Sequence, residues 1–448
     1  MRTRNHRSTG RHDSPRAARI RRAGFAGALA AGLLGASALT GLDAMLAPAA
    51  TAEPVATIAP PFATPKTDTC PDRTAPPPPV DDSEVPEPGQ RPPAPLPVPS
   101  TPVGGAKLGS CGLVLPTGAP PVPKDISATA WVIADLDTGR VLAAKDPHGR
   151  YRPASTLKTL LAAYALPKLD LNQVVIGTQD DANADGTRVG IGAGGRYTND
   201  QLLHALLMCS GNDAAHAIAT ELGGVDETVA QMNETAKQLQ ALDTRAATPS
   251  GLDGPGQSIS AFDLAAIFRH DMTNPAFAGI VHTEQFDFPG FPANPKIEGD
   301  KDHLGFAIAN DNHLLYDYEG DLGGKTGYTD DARQTFVTAA QRGGHRLVVT
   351  LLKADVRPLR PPEQAARLLD YGFALPADAT VGSLPGSTPA QATNPSVALA
   401  TPPTQSPSAA PDAGHSHDTL RAGTIVGGIV VVLILVVLAW RIGGRARR

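Results

Sequence analysis

The chain has 448 residues and a formal net charge of −5. This charge excludes a general nucleic-acid binder, which would carry a basic patch to neutralise phosphates. The 43 prolines crowd into two stretches, so the part that can form a packed core is much shorter than the whole chain.

The first 52 residues combine a basic front with a mild apolar run. Arginines within residues 1–22 precede an alanine- and glycine-rich run from Ala23 to Leu42. Ala50-Thr51-Ala52 then fits the small-x-small pattern of a cleavage site. Residues 1–52 are therefore predicted to be an export signal, with a first transmembrane helix as the alternative.

Residues 53–123 are rich in proline and cannot hold a continuous helix, so polyproline II is their natural local form. We predict a spacer here. Cys70 and Cys111 both lie in this exported stretch, which makes them disulfide candidates; two free thiols are the alternative.

Residues 124–376 form the predicted core and contain no internal repeat. Two apolar runs around Asp137-Thr138-Gly139 predict a hairpin, and a leucine- and alanine-rich stripe from Ser155 to Leu166 predicts a helix. Further helices are predicted in the middle, followed by three strand-like runs, GGKTGYT, RQTFVTAAQ and HRLVVTLLK, and a last helix, PPEQAARLLDYGF. Strands at both ends with helices between predict an α/β (α+β) fold with one mainly antiparallel sheet.

The C-terminal part changes composition twice. Residues 377–421 are rich in Pro, Ser, Ala and Thr, which predicts a disordered stalk. Residues 422–441 include the uncharged run TIVGGIVVVLILVVLAW, and a helix over 422–440 would span about 28 Å, close to the hydrocarbon thickness. Arginines follow at once, so residues 442–448 are predicted to be a basic cytoplasmic tail, with the core outside the membrane.

Ser155 and Lys158 are the first candidates for chemistry. At a spacing of three they share one face of a helix, one turn apart. A serine hydroxyl is a weak nucleophile until a base takes its proton. A lysine can be that base when burial or nearby positive charge lowers its pKa.

Two further short patterns follow in the chain. Ser210-Gly211-Asn212 interrupts a helical stretch; its hydroxyl can relay a proton, and its amide offers a donor and an acceptor to a peptide. Lys325-Thr326-Gly327 lies in a strand-like run. Its lysine supplies positive charge, its threonine can bind a carboxylate, and its glycine lets a ligand approach closely.

The order S-x-x-K, S-x-N, K-T-G resembles the signature set of penicillin-binding proteins and serine β-lactamases. Within that group the core is similar to the low-molecular-weight D-alanyl-D-alanine carboxypeptidases. The similar stretches are RPASTLKTLLA, LLMCSGNDAAHAIA, TPSGLDGPGQSISAFDLA, NDNHLL and GGKTGYTDDA. The resemblance covers most of residues 125–375 and implies a β-lactamase-like fold with a five-stranded sheet. It does not cover the Pro-rich segments.

The resemblance also implies roles and partners. Ser155 would attack the penultimate D-alanine of a peptidoglycan stem peptide, Lys158 would activate it, and Ser210 would carry a proton. The implied substrate-binding residues are Asn212, Lys325, Thr326, Gly327 and Tyr328, with Arg360 as the carboxylate-binding arginine and Arg357 as its substitute. The backbone N–H groups of Ser155 and Tyr328 would form the oxyanion hole. β-Lactam antibiotics would be covalent inhibitors, and no cofactor is expected.

Other patterns point to ordinary structure. Residues 190–195 fit G-x-G-x-x-G, but no apolar strand leads into them, so a loop beside the active-site helices is expected rather than a dinucleotide site. His204 and His216 lack the companions of a zinc motif, and no metal site is predicted.

Two other functions stay open at this point. A β-lactamase shares the acylation machinery, although the E-x-x-L-N pattern associated with fast deacylation is absent between Ser210 and Lys325. A non-catalytic wall-binding protein is the other alternative. The sequence does not separate carboxypeptidation from transpeptidation.

Overall fold

The structure, a computed structural model, describes residues 62–386. The predicted export signal, transmembrane helix and basic tail lie outside these residues, as does most of the predicted stalk. Among the helices of residues 62–386, none is long and apolar enough to cross a membrane.

The described residues contain a large antiparallel sheet and two small two-stranded sheets. The strands are β1 (Leu113–Val114), β2 (Ala130–Asp135), β3 (Arg140–Lys145), β4 (Val174–Ile176), β5 (Arg196–Thr198), β6 (Gln285–Phe288), β7 (Phe306–Ala309), β8 (Asp321–Thr329), β9 (Arg333–Arg342), β10 (His345–Ala354) and β11 (Gly382–Ser383).

Most of the helices lie between β3 and β8. They are α1 (Lys158–Ala165), α2 (Gln179–Ala182), α3 (Asn199–Met208), α4 (Asn212–Glu221), α5 (Val225–Gln238), α6 (Ala261–Asp271), α7 (Pro275–Val281), α8 (Leu314–Asp317) and α9 (Pro361–Ala374). Two short 3₁₀ turns, Ala106–Gly109 and Ala154–Leu157, complete the set.

The large sheet is built from both ends of the core, as predicted. Its strand order is β1-β3-β2-β10-β9-β8, with β11 added to β3, and every pairing is antiparallel. Five strands are long, and β1 and β11 add two residues each at one edge. The predicted hairpin joins β2 to β3, where Asp135 Oδ1 accepts the N–H groups of Asp137 at 2.9 Å and Thr138 at 2.7 Å.

Helices cover both faces of the sheet. Side chains alternate along each strand, so a central strand such as β10 buries apolar residues on both faces. In β10, Val348 and Leu352 face the helical middle of the chain, whereas Leu347, Val349 and Leu351 face α9. All five are buried. Burial of each such side chain stabilises the fold by about 1.5–3 kcal/mol. This double-sided burial fixes the strand register and hence the position of β8 at the sheet edge.

The Pro-rich stretch packs on the core from residue 62 onward, which differs from the predicted spacer. Cys70 and Cys111 form a disulfide. The buried Arg150 donates to the carbonyl oxygens of Thr74 at 2.9 Å, Leu96 at 2.6 Å and Pro97 at 2.9 Å. A polyproline-type backbone makes no internal hydrogen bonds, so its carbonyl groups are free to accept from such a guanidinium.

The other end of the domain also extends beyond the predicted boundary at residue 376. Residues 382–383 form β11 on β3, and Val381 N donates to Val141 O at 2.8 Å. Residues 381–384 therefore belong to the folded domain rather than to the predicted stalk, because Val381 and Leu384 are buried against the sheet edge.

Candidate active site

Ser155 lies in the 3₁₀ turn directly before α1, and Lys158 is the first residue of that helix. Ala154, at the start of the turn, has a φ of +47°, which is uncommon for a residue with a side chain. Thr335 of β9 donates its hydroxyl to the carbonyl oxygen of Pro153 at 2.7 Å. The turn is thereby fixed to the sheet, with Ser155 partly exposed above it.

The ammonium nitrogen of Lys158 is enclosed by three oxygen atoms. Nζ lies 2.9 Å from Ser155 Oγ, 2.7 Å from Asn212 Oδ1 and 2.6 Å from the carbonyl oxygen of Ser250. Amide oxygens of Asn212 and Ser250 can only accept, so they take two N–H groups. In the neutral amine the remaining lone pair then faces the hydroxyl of Ser155.

The surroundings of Lys158 favour that neutral amine. The side chain is fully buried, and this burial lowers its pKa well below the usual value. The positive charge of Lys325 lowers the pKa further, while Asp213 opposes the shift. Burial and a like charge are the two effects that turn a lysine into a base at neutral pH.

The turn between α3 and α4 supplies Ser210 and Asn212. Ser210 has a φ of +63° and is 7% exposed, so the backbone makes a sharp bend at a buried serine. Asn212 starts α4, and its Nδ2 donates to Asp185 O at 2.7 Å while its Oδ1 accepts from Lys158. The amide orientation follows from these two partners, which places the turn against the amine of Lys158.

Strand β8 carries Lys325, Thr326 and Gly327. Lys325 is 1% exposed and donates to the carbonyl oxygen of Thr326 at 2.8 Å. Burial lowers its pKa to about 8, against the opposing effect of Asp311. In its protonated form, the Lys325 side chain thus provides a buried positive charge that acts on Lys158.

Gly327 brings β8 directly against the serine turn. A Cβ at this position would lie 2.4 Å from Thr335 Oγ1 and 2.8 Å from the backbone nitrogen of Ser155. Only glycine allows this approach. Tyr328 follows with an exposed side chain, whose hydroxyl donates to Asp330 at 2.7 Å. The structure therefore brings together the serine turn, Lys158, the α3–α4 turn and β8.

The carboxylate-binding role of Arg360 stays a prediction. It is exposed and caps the N-terminus of α9, where its backbone N–H donates to Glu363. Arg357 is also exposed. Within residues 62–386, neither guanidinium forms a hydrogen bond or ion pair with a side chain of the cleft. The expected role comes from the position of Arg360 after the last strand, where it precedes α9, the helix that packs on β9 and β10.

The loop of residues 248–257 contributes a feature that the sequence interpretation missed. Its Ser250 carbonyl accepts from Lys158, and the side chain of Gln257 holds the loop by donating to Gly251 O at 3.1 Å and Leu252 O at 2.8 Å. Gly251 has a φ of +87°, and a Cβ there would lie 2.0 Å from Ala154 O. The TPSGLDG stretch is part of one of the segments that resemble the carboxypeptidase family. Its Ser-Gly pair is the sequence feature that could have indicated this loop.

The glycine-rich residues 190–195 lie beside the α3–α4 turn. Asp213 of α4 accepts the backbone N–H groups of Val189 at 3.0 Å, Gly190 at 2.8 Å and Ile191 at 2.9 Å. Thr187 O accepts from Asn212 N at 2.7 Å. These bonds anchor the loop as one wall next to the cleft.

Three potential metal ligands meet elsewhere, at His148, Asp243 and Asp263. His148 Nδ1 lies 2.8 Å from Asp243 Oδ2, and Nε2 lies 3.0 Å from Val103 O. Val103 O can only accept, so Nε2 donates to it; burial lowers the pKa of His148, but the hydrogen bond and the charge of Asp243 outweigh burial, so the pKa is raised. The cluster joins Val103 of the Pro-rich stretch to the core through His148.

His204 and His216 likewise have partners within the protein. His204 Nδ1 lies 2.8 Å from the carbonyl oxygen of Asp200, and its ring stacks on Phe286. His216 Nδ1 lies 2.6 Å from Asp181 Oδ1. The contacts of His204 tie α3 to β6, and the contact of His216 ties α4 to α2.

Comparison with known proteins agrees with the geometry. The family described as D-alanyl-D-alanine carboxypeptidase matches residues 117–356. The D-alanyl-D-alanine carboxypeptidase DacB2 of Mycobacterium tuberculosis is 48% identical over 275 residues, which cover 60% of this chain and 90% of that protein. DacD of Salmonella typhimurium is 33% identical over 266 residues, covering 56% of this chain and 64% of the relative.

Solved structures show the same fold. The crystal structure of a D-alanyl-D-alanine carboxypeptidase from Mycobacterium tuberculosis superposes with a TM-score of 0.56 at 46% identity, covering 60% of this chain and all of that one. The DD-transpeptidase of Streptomyces K15 gives a TM-score of 0.52 at 27% identity over 57% of this chain and 100% of its own. Since the family match spans more than half of the 448 residues, the chain belongs to the D-alanyl-D-alanine carboxypeptidase family.

Proposed function

We propose that this chain removes the terminal D-alanine from peptidoglycan stem pentapeptides through a serine-bound acyl-enzyme. The observation that carries the proposal is the position of the buried Lys158 Nζ, 2.9 Å from Ser155 Oγ, with two carbonyl oxygens accepting its N–H groups. This arrangement leaves the amine one task, which is to accept the serine proton.

In the acylation step, Ser155 Oγ attacks the carbonyl carbon of the penultimate D-alanine while Lys158 takes the hydroxyl proton. The backbone N–H groups of Ser155 and Tyr328 donate to the oxygen that becomes negative. The C–N bond then breaks, and the nitrogen of the terminal D-alanine receives a proton by way of Ser210. The products of this step are free D-alanine and an ester on Ser155.

In the second step, water attacks the ester carbon and loses a proton to Lys158. The C–O bond to Ser155 breaks, the serine oxygen regains a proton, and the shortened stem peptide leaves. An amine arriving instead of water would give transpeptidation, so the partition between the two products depends on which nucleophile reaches the ester.

Substrate recognition rests on β8. The buried charge of Lys325 attracts the terminal carboxylate, the partly exposed hydroxyl of Thr326 donates to it, and Gly327 lets the peptide lie close to the strand. Asn212 offers its amide to the peptide backbone. A β-lactam carries a similar carboxylate and a strained amide, so it acylates Ser155 by the same route and inhibits the enzyme covalently.

We also propose that the enzyme works outside the cytoplasmic membrane. The basic and apolar pattern of residues 1–52 supports export, and the uncharged run in residues 422–441 followed by arginines supports a single C-terminal anchor with a cytoplasmic tail. A catalytic domain on the outer face meets the peptidoglycan that it acts on.

Mass spectrometry of a muropeptide pentapeptide incubated with the full-length chain tests the function. We expect loss of one alanine residue with the wild type and with Ser100→Ala, an exposed control serine, and no loss with Ser155→Ala. Unchanged pentapeptide with the wild type would contradict the proposal. Hydrolysis of a bound penicillin in less than about a second, without D-alanine release, would instead identify a β-lactamase.

A further inference from the structure

The stretch from Pro77 to Glu84 lies against two walls of the cleft at once. It belongs to the Pro-rich part of the chain, before the region that matches the family. One contact is made to Arg152, three residues before Ser155, and the other to Asp331, two residues after the end of β8. The stretch therefore spans from the serine turn to the strand of Lys325.

The contact with Arg152 uses all three nitrogen atoms of the guanidinium. Arg152 Nε and Nη2 donate to the two carboxylate oxygens of Glu84, the second at 2.9 Å, and Nη1 donates to Pro77 O at 2.8 Å. The Arg152 side chain is 2% exposed. A buried guanidinium held in this forked geometry has little freedom to turn.

The contact with Asp331 starts from the backbone. Val80 N donates to Asp331 Oδ1, in the turn that joins β8 to β9. Asp331 is buried, and its charge raises the pKa of Arg152. The charge of Asp253, in the loop that contacts Lys158, has the same effect. The Glu84–Arg152 pair thus lies close to three parts of the cleft: the serine turn, the end of β8 and the Ser250 loop.

We propose that Glu84 is a positioning residue for the reaction, holding Arg152 so that Ser155 stays at attacking distance from a substrate bound along β8. The inference rests on the proposed function, since it concerns the same serine. Glu84 touches neither substrate nor Ser155 and acts only through Arg152 and the short link Pro153–Ala154.

The physical reason lies in the short chain between Arg152 and Ser155. Pro153 and Ala154 are the only residues between them, and Ala154 already has an uncommon backbone conformation. A shift of the Arg152 backbone therefore passes directly to the serine oxygen. Displacement of a reacting atom by about 1 Å can reduce the rate about a hundredfold.

The test is Glu84→Gln in the full-length chain, with Glu87→Gln as the matched control. Glu87 lies in the same stretch, has an exposed side chain, and would lose the same charge. Glutamine cannot accept both Arg152 N–H groups in the forked geometry. We expect kcat of Glu84→Gln to fall about ten- to a hundredfold, with KM changed less than about threefold, because binding along β8 is retained.

Active sites are counted by titration with labelled penicillin, and kcat is given per titrated site. A purely structural role would reduce the number of sites or the melting temperature but leave kcat per site unchanged, and that result would overturn the proposal. Loss of kcat in the Glu87→Gln control as well would also overturn it. If Glu84→Gln yields no soluble protein, Glu84→Asp, which keeps the charge but shortens the reach, is measured under the same criteria.

Failure of the proposed function would look different. In that case the wild type itself would release no D-alanine, and neither variant could be compared. A wild type that is active together with a Glu84→Gln chain of equal kcat per site would leave the carboxypeptidase in place and remove only the role of Glu84.

Discussion

The carbonyl oxygen of Ser250 lies 2.6 Å from Nζ of Lys158, although 92 residues separate the two in the chain. A backbone carbonyl cannot donate, so it holds one N–H of the amine in a fixed direction. Together with Asn212 Oδ1 it directs the lone pair of the neutral amine to Ser155.

The base must be neutral to take the serine proton, so Lys158→Arg, which replaces the neutral amine by a permanent positive charge, is expected to slow acylation strongly. An arginine stays protonated in proteins and is not a base at neutral pH. Removal of general base catalysis costs about a hundred- to ten-thousandfold in rate. The time course of labelling with fluorescent penicillin measures the acylation rate. A rate within about threefold of the wild type would contradict the role of Lys158.

Gly251→Ala is expected to slow acylation although it changes none of the side chains that take part in the reaction. The residue has a φ of +87°, and an added methyl group would lie 2.0 Å from Ala154 O, next to the serine. Either the loop or the serine turn must shift. We expect at least a tenfold lower acylation rate, as misplacement of reacting groups of about 1 Å can cost about a hundredfold.

Gly279→Ala is the control for that experiment. A Cβ at Gly279 would meet no atom within 4 Å, and the residue lies in α7, far from a strained conformation. Its acylation rate should equal that of the wild type. Equal rates for Gly251→Ala and the wild type would show that the loop does not set the position of the base.

The alkaline limb of the pH profile is expected to report Lys325. Burial lowers the pKa of this lysine to about 8, so its charge is present below that pH and is lost as the pH rises through it. Attraction of the substrate carboxylate is lost with the charge, and kcat/KM should fall above about pH 8. On the acid side, protonation of Lys158, whose pKa is lowered by burial and by Lys325, should reduce the rate as the pH falls.

Lys325→Arg tests the assignment of the alkaline limb. Because an arginine keeps its charge throughout the accessible range, the fall in kcat/KM near pH 8 should disappear, whatever the absolute rate. An alkaline limb that stays near pH 8 in this variant would assign the titration to another group. The profile of kcat/KM is the appropriate measure, since it reports the free enzyme.

The disulfide is expected to stabilise the Pro-rich stretch on the core. It closes a loop between Cys70 and Cys111, with a sequence separation of 41. On the chain-entropy account, loss of that closure should lower the free energy of unfolding by about 2–4 kcal/mol in Cys70→Ser/Cys111→Ser. Denaturant unfolding of the full-length chain measures the change.

The control for the disulfide is a reductant. Reduction should destabilise the wild type to the level of the double variant and have no effect on the double variant itself. Equal stability of the wild type and the double variant would mean that the buried contacts of Arg150 with Thr74, Leu96 and Pro97 hold the stretch alone.

The sequence predicts the sheet and the side chains of the cleft for a physical reason. Short apolar runs bounded by turn residues predict β2, β3, β9 and β10, and the spacing of Ser155 and Lys158 corresponds to one helical turn. Side chains carry chemistry that can be read from a residue type. The order S-x-x-K, S-x-N, K-T-G, which resembles the signature set of penicillin-binding proteins, then assigned Ser155, Asn212 and Lys325 to one cleft.

Backbone contacts could not be predicted in this way. The Ser250 carbonyl has no residue-type signature, since every residue carries the same group. The packing of residues 62–112 was missed because a proline-rich composition specifies a local conformation but not a partner. Arg360 was chosen from its position after the last strand, and its role toward the carboxylate stays a prediction.

Identification of the residue that a β-lactam modifies tests the central claim most directly. The full-length chain is labelled with penicillin, digested with trypsin and analysed by mass spectrometry. We expect the adduct on Ser155 within the peptide of residues 151–158, YRPASTLK, and none in Ser155→Ala. An adduct on a different peptide, or an unlabelled wild type, would contradict it.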